Sequence, residues 1–134
     1  MKKLCTCYFV SLKHFQIYIF VLSSFIYFSV SDQFICPVFK WGTIEEWEFG
    51  LERVINFPKD RIQSERTYLL KTLAGCPVQP DKINRLLNVT ILEANTNFTE
   101  NDIFLIFNML TGGSSGYTTL FKFVSENWDA IKQR

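Results

Sequence analysis

From residue 43 onward, apolar and polar positions recur with a helical period, and start and stop signals cut the pattern into five segments. Thr43-Ile44-Glu45-Glu46 has the form of a capping box, in which the threonine oxygen accepts an early amide and Glu46 reaches back. It predicts a helix over 43–57 that ends before Pro58, with Ile44, Trp47, Leu51, Val54 and Ile55 on one stripe. A second helix is predicted over 61–74. Ile62, Tyr68, Leu69, Leu70 and Leu73 supply its buried side, and Gly75 is the expected left-handed stop. The third starts at Pro80-Asp81 and runs to about 94, carrying Ile83, Leu86, Leu87, Ile91 and Leu92. The fourth starts at Thr99-Glu100-Asn101-Asp102, carries Ile103, Phe104, Ile106, Phe107 and Leu110, and ends at Gly112-Gly113. The last covers 117–132 with Leu120, Phe121, Val124, Trp128 and Ile131.

Five helices joined by short loops predict an all-α fold of consecutive antiparallel neighbours. Two successive pairs have a period resembling HEAT- or armadillo-like solenoids, which places the body as a partial superhelix of stacked pairs. Such arrays need about three units, and no polar terminal cap is visible, so the body reads as part of a larger stack.

The helical period stops at the other end of the chain. Between residues 15 and 30 the only polar side chains are Gln16, Ser23, Ser24, Ser29 and the tyrosine hydroxyls, and apolar residues run all round. We therefore divide the chain into an apolar leader helix, 1–31, and a helical body, 32–134. A basic start, an apolar middle and Ser29-Val30-Ser31 fit a secretory signal peptide, although Lys13 and His14 lengthen the basic region. An uncleaved signal anchor in a membrane and translated non-coding sequence ahead of the true start are the other two readings.

Composition sharpens this division. The 134 residues carry 14 lysines and arginines against 13 acids, a balance with no electrostatic case for nucleic acid binding. The leader holds three of those lysines and no acid, so the body is mildly acidic. Hydrophobic residues make up 48%, which excludes disorder throughout. His14 is the one histidine, so every site needing two or three, including the H-E-x-x-H zinc helix, is excluded on this chain.

Cys5 and Cys7 lie in the leader, Cys36 and Cys76 in the body, and none forms a C-x-x-C pair. Cys36 precedes the first predicted helix and Cys76 follows the second, which leaves open both a disulfide and two buried free thiols. Asn88-Val89-Thr90 and Asn97-Phe98-Thr99 are glycosylation sequons. Asn97 falls in a predicted loop, whereas Asn88 lies in mid-helix and would have to face solvent. Leader, cysteines and sequons together point to the secretory pathway, with the protein extracellular or associated with the plasma membrane through 1–31.

Cys36, Gly42, Trp47, Phe49, Leu73-Ala74-Gly75-Cys76, Asp102, Gly116 and Phe123-Val124-Ser125-Glu126-Asn127-Trp128 occur in an order that carries a resemblance. Over about 34–134 the chain resembles the end of the C-terminal helical domain of M1-family zinc aminopeptidases, the aminopeptidase N group. The resemblance implies a bowl of stacked helices that covers an active site where single residues are removed from peptide amino termini. It implies that zinc and a Gly-Ala-Met-Glu-Asn-like amine-binding segment belong to a catalytic domain preceding this region. It further implies a Cys36–Cys76 disulfide, structural roles for Gly42, Trp47, Asp102, Gly116, Asn127 and Trp128, and, in some members, dimerisation.

In one place the chain departs from that pattern. Relatives often carry Arg-x-Gln-Asp where this chain has Thr99-Glu100-Asn101-Asp102, and a threonine cannot hold a peptide carboxylate as a guanidinium does. Asp102 reads as a first-turn acid favoured by the helix dipole. Trp47 and Trp128 read as core residues. Glu45, Glu46, Glu48 and Glu52 read as a solvated face, and Gly112-Gly113-Ser114-Ser115-Gly116 as an interhelical turn. The expected function is a non-catalytic helical domain with no cofactor of its own, whose partner is the missing catalytic portion or a like subunit. The alternative is a small secreted or membrane-tethered helical interaction protein.

Overall fold

The computed structural model describes residues 32–93 and 97–133; the leader, 1–31, lies outside them. The described residues form α1 (Asp32–Trp41), α2 (Ile44–Ile55), α3 (Gln63–Gly75), α4 (Pro80–Leu87), a π-helical turn (Asn88–Leu92), α5 (Glu100–Thr111), α6 (Ser114–Glu126) and α7 (Trp128–Lys132). No strand occurs among them, and the fold is all-α as the periodicity predicts.

Two helices begin as the sequence dictates. Thr43 Oγ1 accepts the Glu46 amide while Glu46 Oε2 accepts the Thr43 amide at 2.9 Å. Thr99 and Asp102 form the same reciprocal pair at the start of α5. Pro80 sits in the first turn of α4, where its missing N–H forfeits no helical bond.

Helix α2 packs on α3, α3 on α5, α4 on α6 and α5 on α6, while α7 returns to the π-helical turn. One cluster fills the interior. It contains Trp47, Leu51 and Val54 from α2, Leu70 and Leu73 from α3, Ile83, Leu86 and Leu87 from α4, Ile106 and Leu110 from α5, and Leu120 and Phe123 from α6. Each fully buried aliphatic side chain here contributes roughly 1.5–3 kcal/mol relative to leaving it exposed.

Four departures from the sequence reading have physical causes. Helix α1 is additional, so Cys36 lies inside a helix and not before one. Pro37 falls within it, and a proline both removes a helical hydrogen bond and signals a break in the sequence. The helix expected over 80–94 is α-helical only to Leu87. There Asn88 Nδ2 donates to Asn84 O and Thr90 Oγ1 donates to Leu86 O at 2.8 Å, so side chains engage the carbonyls that the backbone needs to continue.

The last helix starts at Ser114 and not at 117, so Ser114, Ser115 and Gly116 are its first turn and not a loop. It breaks at Asn127, whose Nδ2 donates to Phe123 O at 2.9 Å. Beyond that break Trp128 is 57% exposed; it is a surface residue and not the core residue expected. Gly75 closes α3 inside the helix, and no glycine among the described residues has a positive φ, so the left-handed stop does not occur.

Ile62, Phe104 and Phe121, assigned to buried stripes, are exposed as well. In α6 the inward line is Gly116, Thr119, Leu120 and Phe123, leaving Tyr117 and Phe121 on the neighbouring line one position round.

Candidate functional site

Three features stand out on this framework: a buried polar junction, a fastened first helix and an aromatic surface. The junction is centred on Arg66 of α3. Its Nη1 donates to Asp102 Oδ1 at 2.9 Å and its Nη2 to Asp102 Oδ2 at 3.1 Å. Nε donates to Val54 O near the end of α2, and Nη2 also donates to Asn97 O. One guanidinium thereby joins α2, α3, the loop before α5 and α5 itself, using the planar fork that carboxylates match. Burial raises the Asp102 carboxyl, but the Arg66 hydrogen bonds and charge, together with the Thr99 amide, outweigh it and hold the group below its ordinary value. Asp102 is therefore more than a first-turn acid.

Helix α1 is fastened at two levels. Cys36 and Cys76 are disulfide-bonded with their Cα atoms 5.3 Å apart, a separation ordinary for such bonds. At the other end of α1, Lys82 of α4 is only 1% exposed, and its Nζ donates to Phe39 O at 2.9 Å and Gly42 O at 2.7 Å. Burial pushes the Lys82 ammonium below its ordinary value, and the Glu46 charge partly restores it. Phe39 stands over Gly50, where an added Cβ would lie 2.5 Å from the ring.

Most family-signature positions have identifiable structural roles. Gly42 follows α1, where a side chain would collide with the Glu46 carboxylate and Val38 O. Trp47 is fully buried and its Nε1 donates to Leu73 O at 3.1 Å. Gly116 is where α6 meets the end of α5, and a Cβ there would lie 2.5 Å from Leu110 O. Asn127 ends α6. Glu46 belongs to the capping box, and Glu48 pairs with Arg85, which also pairs with Glu93. These pairs are exposed, and such pairs contribute about 1 kcal/mol or less.

Arg66 and Lys82 were missed by the sequence reading, although both carry a signal. Arg66 lies four and seven positions before Leu70 and Leu73, and Lys82 lies four before Leu86, so each falls within its helix's inward stripe.

The aromatic surface comprises Phe104 of α5 with Tyr117 and Phe121 of α6, the latter two stacked with ring centroids 6.5 Å apart. A groove of about 280 Å³ lies elsewhere, lined by residues that include Glu48, Leu51, Glu52, Arg85, Val89 and Glu93. Among the described residues no three His, Cys, Asp or Glu side chains converge where a metal would sit, so these donors do not fit zinc. No described helix is long and apolar enough to cross a membrane. Of the two sequons, Asn97 is exposed, whereas Asn88 is half-buried with its amide engaged by Asn84 O.

The described residues thus define an all-helical domain in which polar side chains tie one helix end to another. Residues 13–134 match the family described as ERAP1-like C-terminal domain, and the chain belongs to that family. This domain is the C-terminal part of peptidase-family proteins and not their catalytic domain. The match begins within the stretch read above as a leader. No curated protein and no solved structure matches the chain.

Proposed function

We propose that the chain is the non-catalytic helical portion of an M1-type zinc aminopeptidase, and that it covers the active site of a catalytic portion supplied by the rest of that enzyme or by a like subunit. The family match over 13–134 carries this reading. The succession of α2 on α3, α3 on α5 and α4 on α6 supports a partial HEAT-like stack. In this reading zinc belongs to the catalytic portion, and Phe104, Tyr117 and Phe121 lie on a face that further protein covers.

Sequencing the native transcript upstream of the Phe34 codon tests the proposal. In-frame sequence encoding further helices and a zinc helix supports it. A transcript starting at Met1, with a cleaved leader detected by mass spectrometry, overturns it in favour of a small secreted interaction protein. The purified chain should also release no amino acid from aminoacyl-anilides when zinc is added, and metal-dependent release that survives purification would refute the non-catalytic role.

The same reading places the protein in the secretory pathway, with a Cys36–Cys76 disulfide and a glycan at Asn97. Expression in secretory cells followed by glycosidase treatment should give a mass shift that Asn97→Gln abolishes and Asn88→Gln leaves in place. A chain that never acquires a glycan would contradict this assignment.

A further inference from the structure

Helix α1 differs from the other long helices in how it is attached. The close backbone pairings among the described elements join α2 to α3, α3 to α5, α4 to α6 and α5 to α6, and α1 is in none of them. Its own hydrogen-bond ladder is weakened by Pro37, which has no N–H to donate. What holds it is a set of side-chain fastenings: the Cys36–Cys76 bond, the Lys82 ammonium on Phe39 O and Gly42 O, and the Phe39 ring over Gly50.

These fastenings depend on one another. The disulfide keeps α1 beside the end of α3, and this places the two carbonyls where Lys82 needs them. Lys82 in turn is buried with its charge satisfied only while those carbonyls stay in place. We propose that α1 is a redox-controlled clasp: an intact Cys36–Cys76 bond keeps it closed over Lys82, and reduction of that bond lets it open and expose the Lys82 amine. The opening step is an ordinary thiol–disulfide exchange. A dithiol reductant delivers two electrons and two protons to the Cys36–Cys76 bond, leaving two thiols, and is itself oxidised to a cyclic disulfide. The chain would close the clasp on entering an oxidising compartment and open it under reducing conditions.

The inference rests on the Cys36–Cys76 disulfide proposed above, and one experiment separates the two. The full-length chain is treated with an acetylating N-hydroxysuccinimide ester before and after reduction by dithiothreitol, and acetylation is followed at individual lysines by mass spectrometry. Lys71 and Lys122, both exposed, serve as internal controls.

In the oxidised chain Lys82 should react at least tenfold more slowly than the controls. Reduction should raise its rate about tenfold or more, leave the controls unchanged and leave amide exchange in α3 and α5 slow. Cys36→Ser should give the same result without reductant. A starting chain with two free thiols overturns the disulfide and the clasp together. An intact bond whose reduction leaves Lys82 protected overturns the clasp alone. Loss of protection in α3 and α5 at the same time as at Lys82 also overturns it, because the reduced chain would then be unfolding as a whole.

Discussion

Arg66 and Asp102 meet as two parallel hydrogen bonds, Nη1 to Oδ1 at 2.9 Å and Nη2 to Oδ2 at 3.1 Å, across 36 positions of sequence. Both side chains are largely screened from solvent, so either one left alone would be a poorly compensated charge. Arg66→Ala and Asp102→Ala are each expected to lower the unfolding free energy by about 3 kcal/mol. In the double variant the two losses should fall well short of adding. Urea denaturation of the four proteins checks this, and simple additivity would show that the pair is not coupled.

The same pair sets a pH dependence. The folded Asp102 carboxyl titrates below its ordinary value, while the unfolded chain titrates near pH 4. The stabilisation is therefore complete above the unfolded value and disappears as the pH falls through the folded one. Unfolding free energy should stay level from neutrality to about pH 5 and fall below about pH 4, with a shallower fall in Asp102→Asn. Denaturation series at successive pH values provide the measurement; identical acid slopes in the two proteins would exclude Asp102 as the source.

Non-reducing peptide mapping should recover Cys36 and Cys76 in one linked fragment. Closing a loop of 40 positions is worth about 4 kcal/mol in the chain-entropy account, so Cys36→Ser should lower the melting temperature markedly. Alkylation of both thiols in native, unreduced material would contradict the bond.

Gly116→Ala tests the approach of α6 to α5. The added methyl would sit against the Leu110 carbonyl, and backbone on both sides leaves little room for adjustment. A loss of about 1–3 kcal/mol is expected from such overpacking, whereas Gly113→Ala, which meets open space, should lack that steric loss. Equal behaviour of the two variants in thermal melts would argue against a close contact.

Much of this architecture was legible in the chain. The capping boxes at Thr43 and Thr99 announce helix starts because the chemistry is local, a hydroxyl and a carboxylate three positions apart. Trp47 was readable as core from its place in an apolar stripe. Helix α1 was not, because Pro37 advertises a break, and only tertiary contacts from Cys76, Lys82 and Gly50 fix it in place. The misplaced Phe104 and Phe121 have a related cause. Helices α5 and α6 carry apolar residues on more than one face, and periodicity alone does not say which face turns inward.

The polar junction was hidden for another reason. A charged residue in a stripe reads as an interruption until its partner is known, and the partner of Arg66 lies two helices away. Lys82 is satisfied by main-chain carbonyls, which leave no mark in the sequence.

The π-helical turn over Asn88–Leu92 has a consequence for length variation. A π turn is an α-helix that has accommodated one residue too many. Deleting a residue from an ordinary helix swings everything beyond it by about 100° and turns its inward side chains to water. Deleting one from 88–92 would instead relax the turn to regular α-helix and keep Leu86 and Leu87 on their present line. This segment is therefore the place where the chain can lose a residue without losing its register.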